Sequence, residues 1–128
     1  MTSSHLEGRQ SETRAASFFK RRGYRVVAQN YRVPSGEIDL IVSKGDWLVF
    51  VEVKMRRGSF AGSPLEAVSP RKVQRVSAAA AAYLAKEGLS AQSCRFDIIT
   101  LGPDKGLFGR LKIRHYENAY ETTGHFLV

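Results

Sequence analysis

Three ionisable residues stand in segments that otherwise read as buried strand. Asp39 interrupts Gly36-Glu37-Ile38-Asp39-Leu40-Ile41, and Glu52 and Lys54 close Val49-Phe50-Val51-Glu52-Val53-Lys54. Side chains alternate across a strand, so Glu37, Asp39 and Ile41 share one face of the first segment. On the second, Leu48, Phe50, Glu52 and Lys54 share a face opposite Trp47, Val49, Val51 and Val53. That second segment is apolar on both faces until its end, the pattern of a strand covered on both sides. A carboxylate in such a place is costly unless it is paired, hydrogen-bonded or bound to a metal. If the two segments are neighbours, Asp39 and Glu52 direct their oxygens toward one point, and a divalent cation relieves their repulsion. Mg²⁺ suits such a site, with hard oxygen ligands, few protein contacts and several retained waters; Mn²⁺ is expected to serve in its place. The backbone carbonyl of Val53 offers a third ligand. Lys54 would stand beside the metal, where its ammonium can orient an attacking water or offset charge on a phosphate. The competing account of Glu52 and Lys54 is a structural ion pair at a sheet edge; a carboxylate on the partner strand weighs against it.

Glu12 belongs to the same argument. It falls in helical register with Ala15, Ala16 and Phe19, at spacings of three, four and seven, so it lies on an apolar stripe. If that stripe packs on the sheet, Glu12 points toward the interior that holds Asp39 and Glu52, as a further ligand directly or through water. A first-turn glutamate interacting with the helix dipole is the equal alternative.

The elements that must position these groups can be read from pattern. Gly8 to Arg22 reads as a helix, with Gly23 where a left-handed cap belongs. Tyr24 to Arg32 has strand character, and Pro34-Ser35-Gly36 reads as a turn. Glu37 to Ser43 and Trp47 to Lys54, joined by Lys44-Gly45-Asp46, read as an antiparallel hairpin. Arg57 to Ser63, rich in glycine and other small residues, reads as a mobile loop. Ser69 before Pro70 is a helix start, Ser as N-cap and Pro in the first position, with Gly88 ending the helix near Lys86. Arg95 to Leu101 and Leu111 to Tyr116 read as strands, with a turn-rich connector from Gly102 to Gly109. The order helix, three strands, helix, two strands implies an α/β fold: a central mixed sheet of about five strands flanked by helices. The 128 residues make one domain, 1–128, with polar tails at 1–7 and 117–128.

Twenty Lys and Arg against twelve Asp and Glu give a net charge of +8. Such a surplus attracts polyanions, nucleic acid foremost, although solubility alone is a competing account. Fourteen of the twenty basic residues lie in the first 75 positions, which concentrates the charge near the acidic constellation. Arg32, Arg56, Arg57, Arg71, Lys72 and Arg75 are the candidate nucleic-acid contacts. Arg56 and Arg57 directly follow the site, and Lys72 and Arg75 lie near a helix N-terminus, where backbone N–H groups favour anions. A single cysteine, Cys94, excludes an internal disulfide. No stretch is apolar enough for a signal peptide or membrane span, so no membrane partner is expected and the expected compartment is the cytoplasm. His5, His115 and His125 lack metal-ligand spacing and read as ordinary surface residues. Trp47 reads as core or hairpin packing.

Asp39 followed thirteen residues later by Glu52-Val53-Lys54 resembles the signature of the PD-(D/E)xK, restriction-endonuclease-like superfamily, with Ile38 in place of the proline. Asn30-Tyr31-Arg32, Gly36 to Ile41, Phe50 to Lys54 with Arg56, and Arg95-Phe96-Asp97 together resemble the YraN-like family, small bacterial proteins similar to archaeal Holliday junction resolvases. The likeness runs from about Gly8 to Tyr116. It implies a restriction-endonuclease-like core and Mg²⁺-dependent hydrolysis of DNA phosphodiesters, in branched or flapped DNA by analogy with the resolvases. It carries over Glu12, Asp39, Glu52 and Lys54 as the catalytic set and makes Glu37 a supporting group. Ser11 stands before Glu12, where glycine is expected. Resolvases act as symmetric dimers, so a homodimer is a further expectation. The alternative is a nucleic-acid-binding module on a nuclease fold with little or no catalysis; a third is an interaction protein whose basic face meets an acidic partner. Fold alone does not decide among them.

Overall fold

The computed structural model describes residues 2–55, 68–89, 93–103 and 111–121, with the side chains of 2–9, 103 and 111 left out. Helix α1 spans Thr2–Arg21, followed by strands β1 (Arg25–Val33), β2 (Gly36–Lys44) and β3 (Trp47–Met55). Helix α2 spans Pro70–Glu87, and β4 (Ser93–Pro103) and β5 (Leu111–Tyr116) complete the chain order. The five strands form one sheet in the order β1-β2-β3-β4-β5. The β3–β4 pair is parallel, with α2 in the crossover between them, and the other three pairs are antiparallel. The expected α/β layout with a mixed sheet of five strands is therefore the observed one.

Local chemistry accounts for the boundaries. Helix α1 begins six residues before the expected Gly8, because backbone hydrogen bonding continues upstream of the apolar stripe that periodicity detects. It ends at Gly23, whose φ of +87° lets its N–H and that of Tyr24 turn back to the Lys20 and Phe19 carbonyls. Ser69 caps α2 by accepting from the Lys72 N–H at 3.1 Å, Pro70 occupies the first turn, and Gly88 closes the helix at φ +70°. The loop read at Arg57 to Ser63 lies outside the described residues.

Two cores sandwich the sheet. On one face Val76, Ala79, Ala80, Tyr83 and Leu84 of α2 pack on Ile38, Ile41, Leu48, Phe50, Phe96 and Ile98. On the other, Ala15, Ala16 and Phe19 of α1 pack on Leu40, Val42, Val49, Val51, Ile99 and Leu101. Strand β3 is thus covered on both sides, as its two-faced apolar pattern requires. Gly36, expected in the preceding turn, opens β2. A Cβ there would lie 1.8 Å from the Arg75 carbonyl oxygen, so glycine is required by the close approach of α2. Trp47, expected in the core or on the hairpin, is 46% exposed: it opens β3 opposite Lys44, at the hairpin end and beyond the apolar cover. After β5, the chain folds back: the Ala119 N–H donates to the Phe96 carbonyl, and the Tyr120 ring packs against the Phe96 ring. Among the described residues, no helix is long and apolar enough to cross a membrane.

Candidate functional site

The β2–β3 ladder runs from Lys44–Trp47 to Leu40–Val51 and stops there. Continued by one residue, its register would set Asp39 opposite Glu52. The Asp39 side chain takes over from the backbone at this point: its Oδ2 accepts a hydrogen bond from the Val53 N–H at 2.8 Å. The carboxylate thereby satisfies a strand donor that β2 no longer reaches. The Val53 carbonyl leaves an extended strand on the same side as its N–H, toward Asp39. Glu52, one residue earlier, projects on the α2 side in the same row as Phe50, and Lys54 follows it, exposed.

Both helices reach this place. From α2, Lys72 sets its ammonium 3.5 Å from Glu52 Oε2. From α1, Glu12 accepts from Asn30 Nδ2 at 2.7 Å. Asn30 lies in β1 between the Gln29–Leu40 and Tyr31–Ile38 pairs, alongside Asp39, and has a left-handed φ of +52°. Asparagine tolerates that conformation better than most residues, and here its amide ties the α1 glutamate to the sheet. Ser11, the residue beside Glu12, is buried at 3% exposure with its hydroxyl near the Met55 sulfur, so only a small side chain fits between α1 and β3.

The electrostatics show a deficit of positive charge. Burial raises the Asp39 carboxyl above its ordinary range, Glu12 and Glu37 add to the rise, and the Val53 N–H and Lys72 oppose it. Glu52 is pushed up to about 7, first by burial and then by Asp39, against the pull of Lys72 and Lys54. Two carboxylates that disfavour each other's ionisation are brought together, and one internal ammonium does not compensate them. Among the described residues, no three His, Cys, Asp or Glu side chains stand close enough to hold an ion between them. The fold assembles Asp39, Glu52 and the Val53 carbonyl, with Glu12 held by Asn30 and felt through its charge.

The remaining candidates distribute around this centre. Glu37 Oε1 lies 3.7 Å from Arg75 Nη2, a pairing across the Gly36 contact. Arg71 is exposed in the first turn of α2, and Arg32 is exposed on β1 across from Glu37. Lys72 does not face only solvent; it belongs to the carboxylate cluster itself. Arg56 and Arg57 lie outside the described residues. Asn30 and the siting of Lys72 were missed as site features, because a left-handed strand residue and a helix-to-sheet ion pair leave no periodic trace. The only signal for Lys72 was its place three residues after the Ser69 cap.

A second buried carboxylate lies on the opposite, α1-facing side of β4. Asp97 is fully buried and accepts from Arg95, from the Asn118 N–H at 2.9 Å, and bonds to His115 Nε2 at 2.7 Å. Arg95 also donates to the Tyr24 hydroxyl at 2.6 Å. Burial alone would push the Asp97 carboxyl up; the bonds from His115, Arg95 and Asn118 outweigh it and hold it below the usual range. His115 is therefore not the surface residue expected. It shares a face of β5 with Ile113, against α1, and its ring packs edge-on to Phe18 and Phe19. His5 has no described side chain and His125 lies outside the described residues. Burial raises the Cys94 thiol to about 11, which disfavours its thiolate.

A five-stranded mixed sheet between two helices, with an acidic pair and a lysine at the end of the central hairpin, defines the chain as an α/β protein with a restriction-endonuclease-like core. The chain belongs to the uncharacterised protein family UPF0102, whose model matches residues 11–101, the same family as the YraN-like proteins its motifs resemble. It is 47% identical over 113 residues to a UPF0102 protein of Symbiobacterium thermophilum, covering 88% of this chain and 94% of that protein. A UPF0102 protein of Pelotomaculum thermopropionicum is 40% identical over 116 residues, covering 90% and 95%. One of Hahella chejuensis is 44% identical over 92 residues, covering 72% and 74%.

Proposed function

We propose that this protein is a Mg²⁺-dependent endonuclease that hydrolyses DNA phosphodiester bonds at the Asp39–Glu52 site. The observation that carries the reading is the meeting of two carboxylates of raised proton affinity at the splayed end of β2 and β3, beside Lys54 and Lys72. A hard divalent cation fits this donor set. Asp39 engages Val53 N–H through one oxygen, leaving the other, and Glu52 and the Val53 carbonyl supply further oxygens; Mg²⁺ needs only one or two carboxylates, with water and phosphate completing its shell. When bound, the cation supplies Lewis-acid polarisation of a phosphoryl oxygen, and Mn²⁺ is expected to do the same. Lys54, exposed on the Glu52 row, orients the attacking water and offsets charge on the phosphate. Asn30 holds Glu12 where its charge reaches Asp39. The surplus of basic residues draws the polyanion in.

One observation favours the second reading, a nucleic-acid-binding module without catalysis: Lys72 already stands against Glu52 and neutralises part of the site. Cleavage of labelled linear, flapped and four-way DNA in Mg²⁺, Mn²⁺ or EDTA decides between them. Metal-dependent cutting that Asp39→Ala and Lys54→Ala both remove is the expected result. Salt-sensitive binding without cutting, unchanged by Lys54→Ala, would establish the module instead.

A further inference from the structure

Lys54, Thr100 and Arg114 occupy one row across three adjacent strands. Lys54 of β3 is in register with Thr100 of β4, and Thr100 with Arg114 of β5. All three point to the α2 side. Phe50, Phe96, Ile98 and Tyr116, at the same parity on these strands, pack in the core beneath α2, whereas Ile99, Leu101 and Ile113 face α1. Lys112 extends the row one step along β5, opposite Gly102, which offers no side chain to shield it. Helix α2 lies over β2 and β1, and Lys54, Lys112 and Arg114 are exposed. No hydrogen bond or ion pair engages these three cations among the described residues, which sets them apart from Lys72, Arg75 and Arg95.

Thr100 makes the row more than a solvated basic surface. It is 1% exposed, and its Oγ1 is the one buried side-chain polar atom without a hydrogen-bond partner among the described residues. A buried hydroxyl without a partner is destabilising, and valine would fill the same volume without that cost. Its position, between Lys54 and Arg114 on the two flanking strands, gives the orphan a ligand chemistry: a donor set for an anion with several acceptor oxygens. Neighbouring strands stand about 4.8 Å apart, so the flanking cations are about 10 Å apart at the backbone, close enough for two flexible side chains to converge on one phosphate.

We propose that Lys54, Thr100, Arg114 and Lys112 form a phosphate-binding subsite that takes a backbone phosphate of the nucleic acid adjacent to the one held at Asp39 and Glu52. This rests on the nucleic-acid reading above and adds β4 and β5 to its contact surface. The Thr100 hydroxyl donates to a phosphate oxygen, the arginine and lysines neutralise it, and Lys54 joins the subsite to the acidic centre.

The experiment is binding of the full chain to a labelled DNA duplex and four-way junction in EDTA, by fluorescence anisotropy across a salt series, so that cleavage plays no part. The double variant Lys112→Ala, Arg114→Ala should weaken binding roughly 10- to 100-fold and reduce the slope of log affinity against log salt by about 2. Thr100→Val should weaken binding about 3- to 10-fold with the salt slope unchanged, while raising the melting temperature of the free protein, an opposition that a purely structural threonine would not produce. Wild-type affinity and slope in the double variant, or unchanged affinity in Thr100→Val, overturn the subsite while leaving the nucleic-acid reading intact. Absence of salt-dependent binding by the wild-type protein to either DNA overturns that reading and the subsite with it.

Discussion

Fully buried Asp97 and the half-buried Asp39–Glu52 pair belong to the same sheet, Asp97 on β4 beside the β3 strand that carries Glu52, since Val51 of β3 is in register with Asp97. Around Asp97 the chain supplies a guanidinium, an imidazole and a backbone N–H, and the carboxyl falls below its ordinary range. Around Asp39 and Glu52 it supplies one backbone N–H, the Lys72 ammonium and the weaker pull of exposed Lys54, and both carboxyls rise. The cost of burial acts on all three; what differs is who meets it. At Asp97 the protein completes the site itself, and the result is an anchor tying β4, β5, the entry to β1 and the segment after β5. At Asp39 and Glu52 the protein's own groups leave both carboxyls raised, and the proposed cation would complete the site. A carboxylate that its own fold has finished is structural; the pair that its fold has left unfinished is where we propose that a cation binds.

The contrast can be broken by substitution. Asp39→Asn keeps the Val53 N–H acceptor but removes a charge, and should reduce metal-dependent cleavage at least ~1000-fold in kcat/KM with the fold retained. Activity in that variant within tenfold of wild type would place the chemistry elsewhere. Asp97→Ala should do the reverse. It strands Arg95 in a partly buried position and removes the hydrogen bonds of three partners, Arg95, His115 and the Asn118 N–H, at a cost of about 3–5 kcal/mol in chemical denaturation, with the remaining folded protein still able to cut.

The two regions should also respond to pH in opposite senses. Glu52 has a folded pKa of about 7 against an ordinary 4.5, so the folded state binds the extra proton. Its contribution is fully present below pH 4.5 and is lost as pH rises through about 7, a loss of at most about 3 kcal/mol in EDTA. Asp97 has a lowered pKa, so its contribution is present above the ordinary carboxylate value of 3.8 and is lost as pH falls through its folded pKa. Melting temperatures of wild type and Glu52→Gln between pH 4.5 and 8 separate the two: the substitution should flatten the decline at rising pH. A decline identical in Glu52→Gln would assign it to other groups.

The smallest effect tests the proposed cation most directly. Mg²⁺ at ten times its dissociation constant should stabilise the wild-type protein by about 1.4 kcal/mol at pH 7.5, and Asp39→Asn should remove that gain. Equal stabilisation of both proteins would mean that the ion binds at another place.

Much of this molecule was legible as a string. The period-two pattern at Glu37–Ile41 and Leu48–Lys54 placed Asp39 and Glu52 on facing strands, Ser69-Pro70 located the α2 start, and Gly23 and Gly88 marked two helix ends. These are local signals, set by backbone geometry within a few residues. The Asp97 anchor was not legible, because Arg95, His115, Tyr24 and Asn118 converge from separate segments and His115 carries no mark of the face it takes. Trp47 takes the hairpin half of its expectation and not the core half, because a large apolar side chain says nothing of where a sheet's cover ends.

Sequence alone therefore determined the alternation of faces, the order of elements and the presence of acidic groups in strands too apolar to leave them unattended. Only the tertiary structure decided that β2 and β3 part beyond Leu40, that Asp39 bridges the gap to Val53, that Lys72 reaches Glu52, and that Lys54, Thr100 and Arg114 line up across three strands. The physical reason is one of range. Dihedral preference and periodicity act between neighbours in the chain, whereas register, splay and charge compensation depend on distances between segments that only packing sets.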